Sequence, residues 1–196
     1  RPWQGSKERR PTADDRPRFD PDCYLCPGNT RVSGEQNPQY DSTFVFTNDF
    51  AALRPDAGDE VYSEGLRRAE AQAGTCRVIC FSPRHDLTLT RMEPAGVREV
   101  IEMWAEQTTD LGRDWRWVQI FENRGAAMGA SNPHPHGQIW SGSALPDYAA
   151  REDASQRRHH AGTGRQLLLD VVEQEHGGQR VVEEGDEWLA LVPFWA

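Results

Sequence analysis

Residues 117–140 read WVQIFENRGAAMGASNPHPHGQIW. Residues 117–121 alternate apolar side chains as a half-buried strand does. A glycine-rich link from Gly125 to Ser131 leads into His134-Pro135-His136-Gly137-Gln138-Ile139-Trp140. Pro135 pushes the residue before it out of the helical region, so His134 reads as extended. Residues i and i+2 of an extended chain point to one face, which sends both imidazoles into one space. Gly137 lets backbone come close to a ligand there. Two surface histidines in a turn would also give His-x-His. The adjacent glycine-rich stretch, the polar Gln138 and the flanking strand signals favour a site.

Upstream, residues 43–46 (TFVF) read as a strand ending at Asn48-Asp49, and residues 55–73 as a polar surface loop. Residues 77–81 (RVICF) form a short buried strand stopped by Ser82-Pro83. A helix starts near Pro94, because Val97, Val100, Ile101, Trp104 and Leu111 share one stripe and Gly112 stands at the stop. Downstream, residues 167–172 suggest a second helix closed by Gly177-Gly178. Strands over 181–184 and 188–194 follow, with Gly185-Asp186 between them. Residues 1–19 hold six basic and three acidic side chains with three prolines, too little apolar surface to order the segment, and read as an irregular arm. Short strands with two inserted helices spaced too unevenly for βαβ alternation define an antiparallel α+β class.

Twenty-two Lys+Arg against 31 Asp+Glu give a net charge of −9, which argues against a nucleic-acid binder. A mean hydropathy of −0.78 and the lack of any run of 18 apolar residues exclude a membrane helix. No basic-then-apolar leader is present, so a cytoplasmic setting is expected. The chain opens on Arg1 rather than Met, and the expectation is that it is part of something longer.

In that setting Cys23-x-x-Cys26 is a metal or redox motif before it is a disulfide. A redox pair opens a helix; here Pro27-Gly28-Asn29 signals a turn, which favours a metal knuckle. Cys76 and Cys80 lie four apart on one strand face, too widely spaced for one ion, and read as small core residues. A tetrahedral ion then needs histidines. His159 and His160 sit in a charged, solvated segment and His176 at a helix end, whereas His85 follows a buried strand directly. Cys23, Cys26, His85 and one of His134 or His136 are therefore the candidate Cys2His2 set. An imidazole near a phosphate can also act as a nucleophile if an acceptor holds its other nitrogen and donors surround the phosphoryl group. Gly125, Gly129, Ser131 and Gln138 are placed to supply such donors.

Five blocks of sequence now converge on one family. They are residues 1–5 (RPWQG), 23–29 (CYLCPGN), 43–50 (TFVFTNDF), 77–85 (RVICFSPRH) and 121–138 (FENRGAAMGASNPHPHGQ). With them the chain resembles the galactose-1-phosphate uridylyltransferases of the histidine-triad superfamily, nearly end to end. The resemblance implies an antiparallel half-barrel sheet with flanking helices, the domain proper occupying residues 20–196. It implies a structural zinc on Cys23, Cys26, His85 and His134, and His136 as the uridylylated nucleophile. Gln138 and Ser131 would bind the phosphoryl groups, and Val32, Asn48, Asp49, Asn123, Gly129 and Ala130 would line the nucleotide site. Arg1 matches a basic residue that touches substrate phosphate, and Glu152 a ligand of a second, iron-type metal.

Family members carry a further segment upstream and a second, related domain downstream, where the histidines completing the iron-type site lie. The implied reaction moves UMP between UDP-glucose and galactose 1-phosphate through a uridylyl-histidine. The implied partners are UDP-glucose, UDP-galactose and a hexose 1-phosphate, with a homodimer for the full-length protein. Two other readings stand beside it. One is a related histidine-triad nucleotide phosphorylase or adenylyltransferase, the other a zinc-stabilised nucleotide-binding module without turnover.

Overall fold

The computed structural model describes residues 16–125, 128–130 and 132–194. Most of the arm expected over residues 1–19 lies outside them, as do the expected phosphate contacts Arg1 and Ser131. The chain divides into two units, Arg1–Ala144 and Leu145–Ala196.

In the first unit the order is β1 (Phe44–Thr47), β2 (Val61–Glu64), β3 (Arg67–Glu70), β4 (Gly74–Cys80), α1 (Pro94–Leu111), β5 (Trp117–Phe121) and β6 (His136–Gly142). The main sheet has the order β1-β4-β6-β5, with every pair antiparallel. Its registers set Phe44 opposite Cys80, Cys80 opposite His136, and Gln138 opposite both Val78 and Phe121. Because side chains alternate across a strand, these registers sort the sheet into two faces.

One face is packed by α1. Ile79 and Ile139 of the sheet meet Val100, Met103 and Leu111 of the helix, with Phe81 and the partly buried Val45, Val118, Ile120 and Trp104 around them. Phe81 and Trp104 meet edge to face, ring centres 6.0 Å apart. Each such side chain contributes about 1.5–3 kcal/mol on full burial, so this layer is the main apolar anchor of the unit. Pro94 opens α1 and Gly112 caps it, as the sequence predicts. Ile101 departs from the predicted stripe: it is 53% exposed, and Met103 occupies the buried position instead.

The opposite face carries Phe44, Phe46, Val78 and Cys80 beneath Cys23, Leu25 and Cys26. Tyr40, Phe44 and Phe46 stack in a row with centroids 5.1 and 5.4 Å apart. Cys76 and Cys80 are buried free thiols, in line with their reading as core residues.

Residues 55–73 are not wholly a loop, as the sequence suggests, because they contain the β2–β3 hairpin. All eight of its strand residues are exposed, so no apolar alternation announces it. Its turn rests on Gly65, whose φ of +58° a two-residue hairpin loop favours, and Glu64 and Arg67, opposite each other across the strands, pair at 3.6 Å.

The second unit consists of α2 (Asp147–Thr163), α3 (Leu167–Glu175) and a hairpin of β7 (Val181–Glu184) and β8 (Leu189–Leu191). Here α2 is a helix that the sequence reading lacks. It buries none of its residues and so has no apolar stripe, resting on pairs such as Asp153–Arg157 (2.8 Å) and a left-handed Gly164 cap. His159 is not fully solvated as expected: its Nε2 lies 2.6 Å from the Asp170 carboxylate and the side chain is three-quarters covered. His160 is exposed. No helix among the described residues is long and apolar enough to cross a membrane.

Gly137, like Gly74 at the start of β4, is a position where the main sheet has no room for a side chain. A Cβ there would stand 2.8 Å from Cζ of Phe81 and 2.9 Å from the Phe121 carbonyl oxygen. Gly137→Ala is expected to cost about 1–3 kcal/mol, the range for overpacking a filled core, read as a lower midpoint in chemical denaturation.

Candidate metal centre and nucleotide cleft

The end of β4 and the start of β6 bring two distant histidines to one place. Past Cys80 the chain runs through Ser82 to His85, and His134 sits two residues before β6. The knuckle closes over them. Asn29 donates through Nδ2 to the carbonyls of Asp20, Pro21 and Cys23 (2.9, 3.2 and 2.8 Å). Asn37 does the same to those of Tyr24 and Cys26 (2.9 and 3.0 Å). Gly28 takes φ +75° at the turn, a conformation that favours glycine. Leu25 N–H reaches the Cys23 sulfur at 3.4 Å.

Cys23, Cys26, His85 and His134 are all buried, at 4, 0, 3 and 1% exposure, and their ligand atoms all lie within 4.8 Å of one another. The Cys26 sulfur stands 3.6 Å from Nδ1 of His85 and 3.5 Å from Nδ1 of His134. A tetrahedral ion with thiolates at about 2.3 Å and imidazoles at about 2.0–2.1 Å needs donors roughly 3.4–3.8 Å apart, and the two Cys26–imidazole distances match that spacing. The backbone and side chains around it prepare the imidazoles for that role. His134 Nε2–H points at Ser82 O (2.9 Å), with the Tyr40 hydroxyl 3.1 Å away, which leaves Nδ1 free to ligate. The Asp20 carboxylate stands 3.9 Å from His85 Nε2.

Burial draws His134 down to about 4, helped by neighbouring His85, and lowers His85 as well, so both rings are neutral in the folded chain. Burial also pushes the Cys26 thiol up to about 11 and that of Cys80 to about 12. Both thiols therefore keep their protons in the metal-free chain, and a cation at the quartet would take the place of the Cys26 proton. Among the described residues, no other group of three or more His, Cys, Asp or Glu side chains converges in this way.

His136 has a different surrounding. Its Nδ1–H donates to the His134 carbonyl at 2.8 Å, which fixes the tautomer and leaves Nε2 with its lone pair. The ring lines a cleft of about 250 Å³ on the knuckle side of the sheet. Val32, Asn48, Asp49 and Gln138 line the same cleft, so five of the residues singled out in the sequence meet there. Val32 and Phe50 are exposed apolar walls and Phe46 is a partly covered one. Asp49 accepts from Ser33 N–H (3.3 Å), and Asn48 Oδ1 from Phe50 N–H (3.0 Å). Gln138 Oε1 accepts from the Trp140 indole (3.1 Å), so its amide nitrogen remains a donor.

Asn123, Gly129 and Ala130 lie in the link between β5 and β6 and are not among the residues lining this cleft. Gly125 and Gly129 take φ +89° and +83° there. Glu152 stands on α2 in the second unit, exposed and outside the metal quartet. Of the residues that support the quartet, Asn29 and Ser82 enter the sequence reading only as turn and strand-stop signals, and Tyr40, Asn37 and Asn132 carry no pattern beyond proximity to the motifs.

The architecture is that of solved uridylyltransferases. One such structure superposes with a TM-score of 0.75 over 92% of this chain and 58% of its own, at 24% identity. Residues 1–146 match the family described as galactose-1-phosphate uridyl transferase, N-terminal domain, and the chain belongs to that family. The galactose-1-phosphate uridylyltransferase of Haemophilus influenzae is 49% identical over all of this chain and 56% of its own length. That of Rattus norvegicus is 50% identical over all of this chain and 52% of its own. The chain spans about half the length of the curated relatives it matches.

Two outcomes are expected of the quartet. Cys23→Ser will lower bound metal, measured by elemental analysis, together with the melting temperature; unchanged values in both would remove Cys23 from the set. The metal-free chain will also lose stability as pH falls from about 6.5 to about 4. In that window the unfolded chain protonates His134 and the folded chain does not, so the unfolded state binds more protons. Stability is complete above 6.5, and a thermal melt series across that window checks the slope.

Proposed function

We propose that this chain carries the nucleotide site and the nucleophile of a uridylyl transfer between UDP-glucose and galactose 1-phosphate. The observation that carries the reading is the Nδ1–H of His136 fixed on the His134 carbonyl at 2.8 Å while the same ring lines the cleft. In the forward step Nε2 attacks the α-phosphorus, the Nε2–P bond forms and the bond to the glucose 1-phosphate oxygen breaks. A phosphate oxygen of galactose 1-phosphate then attacks the same phosphorus, the N–P bond breaks, and UDP-galactose leaves with His136 restored. The His134 carbonyl stabilises the positive charge that the ring gains during attack.

The remaining residues have supporting roles. Val32, Phe46 and Phe50 suit the faces of a pyrimidine, and Asn48 and Asp49 its polar edges and ribose hydroxyls. The Gln138 amide, with Ser131 and the backbone at Gly129 and Ala130, would donate to phosphoryl oxygens as charge develops. Asn123 belongs to the nucleotide side and Arg1 to substrate phosphate. Zinc is the ion the Cys2His2 set suits best, and bound there it supplies a fastening, not a reacting group. Glu152 is read as one ligand of a second, iron-type ion that needs histidines from outside this chain.

Incubating the chain with UDP-glucose labelled in the uridylyl group tests the reading. Covalent label is expected on the parent chain and none on His136→Gly, whose metal content and fold stay intact because His136 is no ligand. Label on the variant would assign the nucleophile elsewhere. A parent labelled by ADP-glucose in place of UDP-glucose would favour an adenylyl-transferring relative.

A further inference from the structure

We propose that Asn132 is a positioning residue that ties the metal quartet to the His136 imidazole. It is 7% exposed and sits just before His134 on the approach to β6. Its Oδ1 accepts from the His134 N–H at 2.8 Å, and its Nδ2 lies 3.3 Å from the Cys23 sulfur. The orientation of the amide follows from these two contacts. Reversed, it would set an NH2 against the His134 N–H, donor against donor, and leave a buried N–H unsatisfied. So Nδ2 donates to Cys23 when that sulfur is a thiolate, whereas the protonated thiol, 3.4 Å from Oδ1, is also placed to donate to that oxygen.

The chain of bonds continues beyond Asn132. The His134 carbonyl accepts from His136 Nδ1–H at 2.8 Å. One path therefore runs from the Cys23 sulfur through the Asn132 amide and the His134 peptide to the His136 ring. A donor to a ligating thiolate stabilises its negative charge and fixes the direction of its lone pairs. The acceptor half of the same side chain fixes the His134 backbone, whose carbonyl sets the His136 tautomer. Asparagine alone does both at this length: Asp lacks the donor, and Ala lacks both halves. This inference rests on the reading of Cys23 and His134 as metal ligands and of His136 as the nucleophile.

The test uses the whole chain as parent, Asn132→Asp and Asn132→Ala, each loaded with Co(II). Asn132→Asp is expected to move the thiolate-to-cobalt charge-transfer band and to weaken cobalt about 10–100-fold in chelator competition, the range for outer-shell partners. Nitrogen-15 spectra of the imidazoles, taken at saturating cobalt-free zinc, give the second readout. Asn132→Asp will keep the Nδ1–H tautomer of His136, because an oxygen still accepts from His134 N–H. Asn132→Ala will show mixed tautomers. A parental band and affinity in Asn132→Asp would overturn the link to Cys23, and an unchanged His136 tautomer in Asn132→Ala the link to the nucleophile. If Asn132→Ala does not fold, the band and affinity of Asn132→Asp decide alone. Neither readout involves a nucleotide, so failure of the transfer reading, seen as an unlabelled parent, is separable from failure of this one.

Discussion

Cys80 stands opposite His136 where the β4–β6 ladder ends, and one step further the Phe81 N–H still donates to the Pro135 carbonyl at 2.9 Å. Because the two strands are antiparallel, the outgoing end of β4 and the incoming end of β6 lie side by side. That places His85, which follows β4, next to His134, which precedes β6, their ring centres 5.5 Å apart. A slip of one residue would send every side chain of β6 to the other face, turning His136 and Gln138 toward α1 and Ile139 toward the cleft. The packing of Ile139 against Val100 and Met103 opposes that slip. An apolar core on one face thus holds the chemistry on the other in register.

The knuckle face adds buried polar groups to its apolar contacts. Each of its asparagines is committed to backbone: Asn29 and Asn37 to carbonyls of the knuckle, Asn132 to the N–H of His134. Pairing offsets much of the cost of burying these amides, although Asn37 Oδ1 is buried without a partner. Two neutral histidines and a thiol that keeps its proton leave the metal-free pocket without charge from these groups. Ligation would remove the thiol protons and use the donor atoms that face inward, so folding and metal binding are coupled here.

The sequence was most legible where local pattern and burial agree. Residues 77–81, 94–111 and 117–121 alternate or repeat in step with the face they bury, and the strands and helix lie there. The β2–β3 hairpin and α2 were illegible for one reason: neither buries an apolar face, so periodicity has nothing to report. Ile101 shows the limit inside a correct helix, because several positions around a stripe are apolar and only tertiary packing chooses among them. For the site, Cys-x-x-Cys was readable from spacing and His85 by elimination among the histidines, while the choice between His134 and His136 came only with the family resemblance. The hydroxyl of Tyr40 and the amide of Asn132 carry no spacing rule, since their partners lie 94 and 109 residues away.

Pro135 explains how two histidines one residue apart take such different places. Opposite Phe81 it accepts the N–H of that residue, yet it has no N–H to return, so the ladder cannot extend past it. Released from strand pairing, the chain before Pro135 turns so that His134 sinks to 1% exposure beside Cys26. The same turn leaves the His134 carbonyl without a strand partner, and the His136 ring takes it up. With any other residue between them, a reciprocal bond to the Phe81 carbonyl would be available and the ladder could continue. The proline therefore separates a buried imidazole of the candidate metal quartet from a cleft-lining one while keeping them joined by one hydrogen bond.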